Sequence, residues 1–405
     1  MRGFFAGSTI AQSQAPVSSI PQCGRCGLLK HCQSPKIKIG GEGRRRVLIV
    51  TAQPGKSDDE ENAFFSGSEG HNLRTTLKTL GVDLDKDCWH TAALICHTKG
   101  KPTNDQITFC QPNLTKAIKE LQPEIIIPLG AEAVKGVLGP IWRDDIKEVE
   151  RWVGWRVPVR EYNCWVCPAY HYNDLTRVRD EVMDLWQGRY LAAAFGLEGR
   201  PYKSEPPDYK KMVEVVLDCD KAARIIHQMV ERGGMVAFDY ETNMLKPDGP
   251  DARIVSCSVC WQGRRTIAYP WHGAAIGATQ ALLRSKLPKV ASNLKFEERW
   301  TLKEFGHPVR NWKFDTMLGA HVADNRHGIT SIKFQSFVRL GFPAYNLHIE
   351  PFLKTKGDNR VNQILKEIDI NDLLVYNGLD SLLEYLVAIN QMKELDYDLR
   401  SLCTP

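Results

Sequence analysis

The sequence predicts an α/β protein of two domains, and three observations lead there. From Val47 onward, short apolar runs alternate with stretches of helical period, the rhythm of strands and helices in a parallel sheet. That rhythm breaks at the segment 196–211, GLEGRPYKSEPPDYKK, which is rich in Gly, Pro and charge and reads as a linker. The 405 residues are also roughly two to three times a typical single domain. With 43% apolar and 25% charged residues the composition is globular, which excludes a collagenous, coiled-coil or disordered chain.

Taken in order, the opening MRGFFAGSTIAQSQAPVSSI is rich in Ser, Gln and Ala and is expected to be a disordered arm over 1–20. Its apolar stretch is too short for a secretory signal. VLIVTA (47–52) is an apolar run ending in Pro54-Gly55, a strand that stops in a turn. HNLRTTLKTLG (71–81) places Leu73, Leu77 and Leu80 at helical spacing before Gly81. NLTKAIKELQP (113–123) reads as a helix, EIIIPLG (124–130) as a strand breaking into a glycine turn, and AEAVKGVLG (131–139) as the next helix. The first domain is therefore placed at 21–195, the linker at 196–212 and the second domain at 213–405. In the second, a helix at 218–232 leads into the strand MVAFDYE (235–241), and IVSCSVCWQGRRTIAYP (254–270) reads as a hairpin around Gln262-Gly263. The remainder is helical in pattern, with a loop-rich stretch around 341–360.

Lys and Arg number 53 against 48 Asp and Glu, so overall charge says little about partners. Only the first fifty residues lean, with eight basic side chains against the single acid Glu42. No apolar run approaches the ~18 residues of a membrane span, so no membrane partner is expected. Twelve cysteines without an export signal point to reduced thiols, some of them metal-bound, in a cytoplasmic protein.

Chemistry concentrates in the second domain. Metal-dependent phosphodiester hydrolysis uses two cations roughly 4 Å apart, held by carboxylates from several elements. Asp239-Tyr-Glu241 sits on a predicted strand, where residues two apart share a face. A lone D-x-E is more often a solvated strand edge, but this one follows the apolar run MVAF. Asn293-Leu-Lys-Phe-Glu297 is expected to open a helix, with Glu297 one turn after Asn293. Tyr376-Asn-Gly-Leu-Asp380 puts a phenol and a carboxylate on one helical face.

FDYET (238–242), SNLKFE (292–297), FDTMLGAHVADN (314–325), TSIKF (330–334) and YNGLDS (376–381) follow one another in a way that resembles the proofreading 3′–5′ exonuclease domain of family A DNA polymerases, the DEDDy branch. The resemblance implies an RNase H-like fold with Asp239, Glu241, Glu297, Tyr376 and Asp380 as catalytic residues. Asp239, Glu241 and Asp380 would hold two Mg²⁺ or Mn²⁺ ions, Tyr376 would orient the attacking water, and Asn293 would meet DNA. Glu297 departs from the family, which has Asp there, but keeps charge and ligand type. Asp315 matches a recurrent family residue that is not a ligand, and a helix-capping role is expected for it.

In the first domain, Cys23-Gly-Arg-Cys26 has the spacing of a metal chelate, and Cys32 offers a competing thiol. Cys164-Trp-Val-Cys167 could complete a four-thiolate zinc site, or Cys96 and Cys110 could complete a cluster. Cys257 and Cys260, three apart on a strand, face opposite sides and cannot chelate together.

The pattern around these cysteines is similar to the iron–sulfur uracil-DNA glycosylases of family 4. TAQPG (51–55) stands for a G-E-A-P-G-like loop, FFSGSEG (64–70) for P-F-V-G-x-A-G, and HTAALICHT (90–98) for I-T-N-x-V-K-C-R. PEIIIPLGAEAVKGVLG (123–139) and PAYHYNDL (168–175) match the later strand–helix and Y-H-P-S-x-L stretches. The resemblance implies a parallel-sheet sandwich whose Cys23, Cys26, Cys96 and Cys110 ligate a [4Fe–4S] cluster, with Zn²⁺ as the alternative. Phe65 would stack on a base and His171 is kept, but Ala52 replaces the family acid and Ala92 the uracil-reading Asn. An alanine there leaves the polar edge of uracil unpaired, which costs a few kcal/mol. Tyr172 replaces the proline after the histidine. A DNA-binding module that does not excise uracil is expected, with Arg44, Arg45 and Arg46 either touching phosphate or forming a solvated face.

Some bacteriophage polymerases join a glycosylase-like domain, an exonuclease domain and a polymerase domain in that order. Only 25 residues follow Asp380 here, so the expectation is a proofreading exonuclease subunit acting on single-stranded 3′ ends or primer–template DNA. A separate polymerase chain would be its partner, in the host cytoplasm if phage-encoded. Two other classes stay open: a glycosylase of altered base preference, and a non-catalytic replication accessory subunit.

Overall fold

The computed structural model describes residues 20–142, 146, 148–178, 181–343, 345, 347–353, 361–364 and 368–397. The expected arm at 1–20 lies outside them except for Ile20, as does part of the stretch around 341–360. The chain divides into two compact units, Met1–Trp155 with Tyr162–Arg200, and Arg156–Glu161 with Pro201–Pro405.

In the first unit β1 (Val47–Thr51), β2 (Cys88–Ala92), β3 (Ile125–Pro128) and β5 (Cys164–Val166) run parallel in the order β2-β1-β3-β5. β4 (Val157–Val159) lies in the segment grouped with the second unit. Every residue of β1 is buried, as expected for a central strand covered on both faces. The chain steps from β1 to β2 on one side and returns to β3 on the other. The order thus reverses beside β1, where α/β sheets open a crevice at their carboxyl ends.

The helix Asn104–Leu121 starts nine residues earlier than the sequence pattern indicated and runs through Pro112. Thr103 explains the early start: its hydroxyl accepts from Gln106 N–H at 3.2 Å, and Gln106 Oε1 accepts from Thr103 N–H at 2.9 Å. The proline removes one ladder hydrogen bond, and burial of Ile107, Cys110 and Leu114 on the same helix offsets that loss.

The second unit is built on a six-stranded sheet. Its strands are β6 (Val213–Val215), β7 (Val236–Thr242), β8 (Ile254–Trp261), β9 (Arg265–Pro270), β10 (Lys289–Ala291) and β11 (Trp312–Asp315), in the order β11-β10-β7-β8-β9-β6. β7 pairs parallel with β10 and antiparallel with β8. Gln262 and Gly263 both take positive φ, 52° and 63°, in the short turn 262–264 that joins Trp261 of β8 to its partner Arg265 of β9. Cys257 and Cys260 are buried in different hydrophobic clusters on the two faces of the sheet. One face packs the helices Cys219–Arg232 and Ala274–Arg284, and the other the 25-residue helix Ile370–Glu394. Among the described residues no helix is long and apolar enough to cross a membrane.

Lys289 on β10 is fully buried, its ammonium donating to Ser285 O at 2.7 Å and Ser285 Oγ at 3.2 Å. Burial, and then the charge of Arg310, push its pKa down from 10.5 to about 7. Between those values the unfolded chain binds a proton that the folded chain has shed, so this residue makes stability rise with pH across that window. Urea unfolding at pH 6.5 and 9.5 should therefore show a smaller alkaline gain for Lys289→Met than for the wild type.

Candidate active site

Asp239 and Glu241 stand two apart on β7, and the pleat turns both toward the helix Ile370–Glu394, which supplies Asp380. One carboxylate oxygen from each of Asp239, Glu241 and Asp380 lies within 4.8 Å of the others. Among the described residues no other group of three or more His, Cys, Asp or Glu side chains is gathered so closely. Glu241 and Asp380 are buried, while Asp239 keeps some contact with solvent. Burial raises all three carboxyls above their ordinary values. The charge of Asp380 lifts Asp239 further, Asp239 and then Asp380 lift Glu241, and the Lys333 ammonium pulls all three back. Hard oxygen donors crowded at this spacing suit a divalent cation.

Neighbouring side chains fix the cluster. Asn377 Nδ2 donates to Asp239 Oδ2 at 2.6 Å, and Asn377 is itself held by Ser256 Oγ on its Oδ1 at 3.0 Å and Ser258 Oγ on its carbonyl at 2.7 Å. These serines stand opposite Glu241 and Asp239 in the β7–β8 register. Tyr345 donates its hydroxyl to Asp380 Oδ1, and its ring lies 5.8 Å from that of Tyr376. Lys333 Nζ donates to the Tyr376 hydroxyl at 3.3 Å. Burial keeps the Tyr376 phenol well above its usual pKa, with Asp380 and Glu241 adding to the shift. It is therefore a neutral hydroxyl at pH 7.

Asn293 does not open the helix as the sequence suggested. That helix is Lys295–Phe305, and Asn293 takes a left-handed φ of 61° before it. Asp315 enforces the turn. Its Oδ1 accepts from Asn293 N–H at 2.9 Å and Met317 N–H at 2.8 Å, and its Oδ2 from Leu294 N–H at 3.1 Å. It thus caps the helix Thr316–Ala323, the expected role, and also cradles the turn that delivers Glu297. Glu297 is 2% exposed and its Oε2 has no hydrogen-bond partner in the protein.

In the first unit, Cys23, Cys26, Cys96 and Cys110 line one cavity of about 320 Å³ that is open to solvent. Cys32 lies against Cys96, whereas Cys164 and Cys167 are buried away from that lining. No three of the sulfurs fall within 4.8 Å of one another, while four thiolates on one zinc would be roughly 3.8 Å apart. Lys36 N–H donates to Cys96 Sγ at 3.3 Å, and Asn113 Nδ2 and the Ile95 N–H to Cys110. Such donors favour ionised, ligating sulfur. Burial otherwise pushes the free Cys96 thiol up to about 11.

At the carboxyl ends of β1 and β3, Thr51 Oγ1 donates to Glu69 Oε1 at 2.9 Å, and His171 Nε2 lies 3.1 Å from the same oxygen. Asn173 N–H donates to His171 Nδ1, which leaves the ring proton on Nε2, facing Glu69. Phe65 is buried, with a left-handed φ of 60° and its ring edge-on to His90, so no open face is left for stacking. The three arginines have partners within the chain: Arg44 pairs with Glu42, Arg46 with Glu124, and Arg45 lies over the Phe195 ring.

Residues 37–193 match the model of the Uracil DNA glycosylase superfamily, and residues 213–398 match that of the 3′–5′ exonuclease domain of family A DNA polymerases. The chain is a glycosylase-superfamily domain followed by a 3′–5′ exonuclease domain. The type-4 uracil-DNA glycosylase of Pyrobaculum aerophilum is 32% identical over 123 residues, covering 29% of this chain and 61% of that protein. The corresponding enzyme of Sulfurisphaera tokodaii is 28% identical over 141 residues, covering 33% and 63%. The chain thus spans about three fifths of the length of these relatives. A DNA polymerase of Bacillus phage SP01 is 28% identical over 109 residues, which cover 26% of this chain but 12% of the polymerase. Among solved structures, Escherichia coli RNase D aligns with 45% of each chain at 12% identity and a TM-score of 0.36, a likeness too low to bear on function.

In the exonuclease domain, sequence reasoning missed Asn377, Lys333, Tyr345 and a further buried acid, Glu384. In the glycosylase-superfamily domain it missed Glu69, although a sequence signal was present: an acid at the alanine of P-F-V-G-x-A-G. Because Asp315 serves two turns at once, Asp315→Ala should destabilise the exonuclease domain by about 1–3 kcal/mol in urea unfolding.

Proposed function

We propose that this chain is a metal-dependent 3′–5′ DNA exonuclease with a proofreading role, working beside a separate DNA polymerase and carrying a DNA-binding domain that does not remove uracil. The observation that carries this reading is the convergence of Asp239, Glu241 and Asp380 within 4.8 Å of one another, beside the Tyr376 hydroxyl. These three carboxylates would hold Mg²⁺ or Mn²⁺. Bound there, the cations would stabilise charge on the scissile phosphate and make water a better nucleophile at neutral pH.

The rest is the work of the chain's own groups. Tyr376 stays protonated and so orients water by hydrogen bonding rather than acting as a base, and Lys333 fixes the phenol. Tyr345 and Asn377 lock the rotamers of Asp380 and Asp239, which limits the reorganisation needed when substrate arrives. Asn293 stands at the turn entering the site and would meet the 3′-terminal nucleotide. Glu297 keeps a carboxylate on this wall, which favours an active enzyme over a silent accessory subunit. The relationship to a phage DNA polymerase supports DNA as substrate and replication as context.

In the first domain, Ala52 and Ala92 supply neither the acid nor the base-reading amide of a uracil-excising site. The cavity between Cys23, Cys26, Cys96 and Cys110 supports a [4Fe–4S] cluster that pins the N-terminal loop to the sheet. Chemical analysis of anaerobically purified chain should find about four iron and four sulfide per molecule. One zinc and no sulfide would overturn the cluster.

The exonuclease is tested with a 5′-labelled primer–template bearing a matched or mismatched 3′ end, in Mg²⁺ or EDTA. A ladder shortening from the 3′ end only with metal, and absent for Asp239→Ala, is the expected result. No cleavage in Mg²⁺ or Mn²⁺, with or without the polymerase, would leave a binding module.

A further inference from the structure

The helix that carries Tyr376 and Asp380 presents a third polar side chain at the same four-residue spacing, Glu384, which the mechanism above does not use. Glu384 is 2% exposed. The Ser292 N–H donates to its carboxylate, while Oε2 has no hydrogen-bond partner in the protein. Glu297, on the helix Lys295–Phe305, is in the same condition. A buried carboxylate oxygen left bare is costly, and two of them beside one acidic centre are more so.

The electrostatic neighbours of the two residues locate that centre. For both Glu384 and Glu297 the largest repulsion from another acid comes from Asp239, and each also feels Asp380. Glu384 feels Glu297 as well. Asp239 is thus shared electrostatically by two sets of acids: Glu241 and Asp380, whose oxygens lie within 4.8 Å of its own, and the buried Glu297 and Glu384 with their bare oxygens. Two carboxylate groups sharing a central carboxylate is the donor arrangement of two adjacent cations.

We propose that Glu384, one helical turn beyond Asp380, supplies together with Glu297 the carboxylates of a second cation position beside Asp239. This rests on the exonuclease reading and extends it: the glutamate at position 297 is matched by a second glutamate from the helix Ile370–Glu394. Glu384 takes a hard divalent cation through Oε2, and its hydrogen bond with Ser292 holds it against the turn that leads to Asn293 and Glu297.

Glu384→Gln separates this role from a structural one. Glutamine keeps an oxygen for the Ser292 N–H but loses the charge, whereas Glu384→Ala loses both. Calorimetric titration of the full chain with Mn²⁺ should show two ions for the wild type. For Glu384→Gln and for Glu297→Gln, one ion should remain and the other be lost or weakened by at least about tenfold. Asp239→Asn should lose both. If Glu384→Gln binds two Mn²⁺ with wild-type affinity while Glu384→Ala does not, Glu384 acts only by holding Ser292, and the inference fails. It fails equally if the wild type binds one ion and Glu384→Gln binds it unchanged. In either case Asp239→Asn would still show metal loss, and the exonuclease reading would stand. A wild-type chain that binds no Mn²⁺ would remove both.

Discussion

The exonuclease domain is organised around the repulsion between carboxylates buried at one spot. Asp239, Glu241, Asp380, Glu297 and Glu384 each have their pKa raised by burial, and all but Asp380 are raised further by one another. A fold that relaxed freely would push them apart. Here β7 fixes two of them by its pleat, the helix Ile370–Glu394 fixes two more by its period, and the Asp315 cradle fixes the turn before Glu297. Asn377 illustrates the stiffness: one amide bonds Asp239, while two serines on the next strand bond the amide and its own carbonyl. The apolar clusters on both sheet faces provide the stability against which this strain is held.

Much of this was legible in the sequence where the signal is local. The D-x-E pair reads directly as a shared strand face, and the Tyr376–Asp380 spacing as a shared helix face. The hairpin at Gln262-Gly263 follows from residues that take positive φ in a tight turn. The failures have one cause, which is that tertiary partners override local pattern. The helix read over 113–123 begins instead at Asn104, where the Thr103–Gln106 capping box starts it, and buried side chains carry it through Pro112. Asn293 was read into a helix because nothing local announces Asp315, which arrives from a different strand and binds its backbone. Lys333 and Tyr345 reach the site from segments remote in sequence and could not be read from spacing alone. Glu384 could have been, as the next step of the Tyr376–Asp380 spacing.

The two domains contrast in what their substitutions removed. In the exonuclease domain the departure from the family pattern, Glu297, keeps charge and reach. In the glycosylase-superfamily domain Ala52 and Ala92 delete the polar groups at the carboxyl ends of β1 and β2, where a sheet of this order would bind a ligand. Yet that crevice has not become apolar. Glu69 enters it, accepts from Thr51 and His171, and has its pKa raised chiefly by burial, with His171 and the Thr51 hydroxyl opposing the shift. The acid and the imidazole hold each other in place, so His171 keeps a defined tautomer without a substrate. Glu69 and His171 thus satisfy each other within the crevice, which fits the proposed module that does not excise uracil. On the proposed reading, one domain would hold DNA and the other shorten it, a division of labour set by which polar groups each crevice has kept.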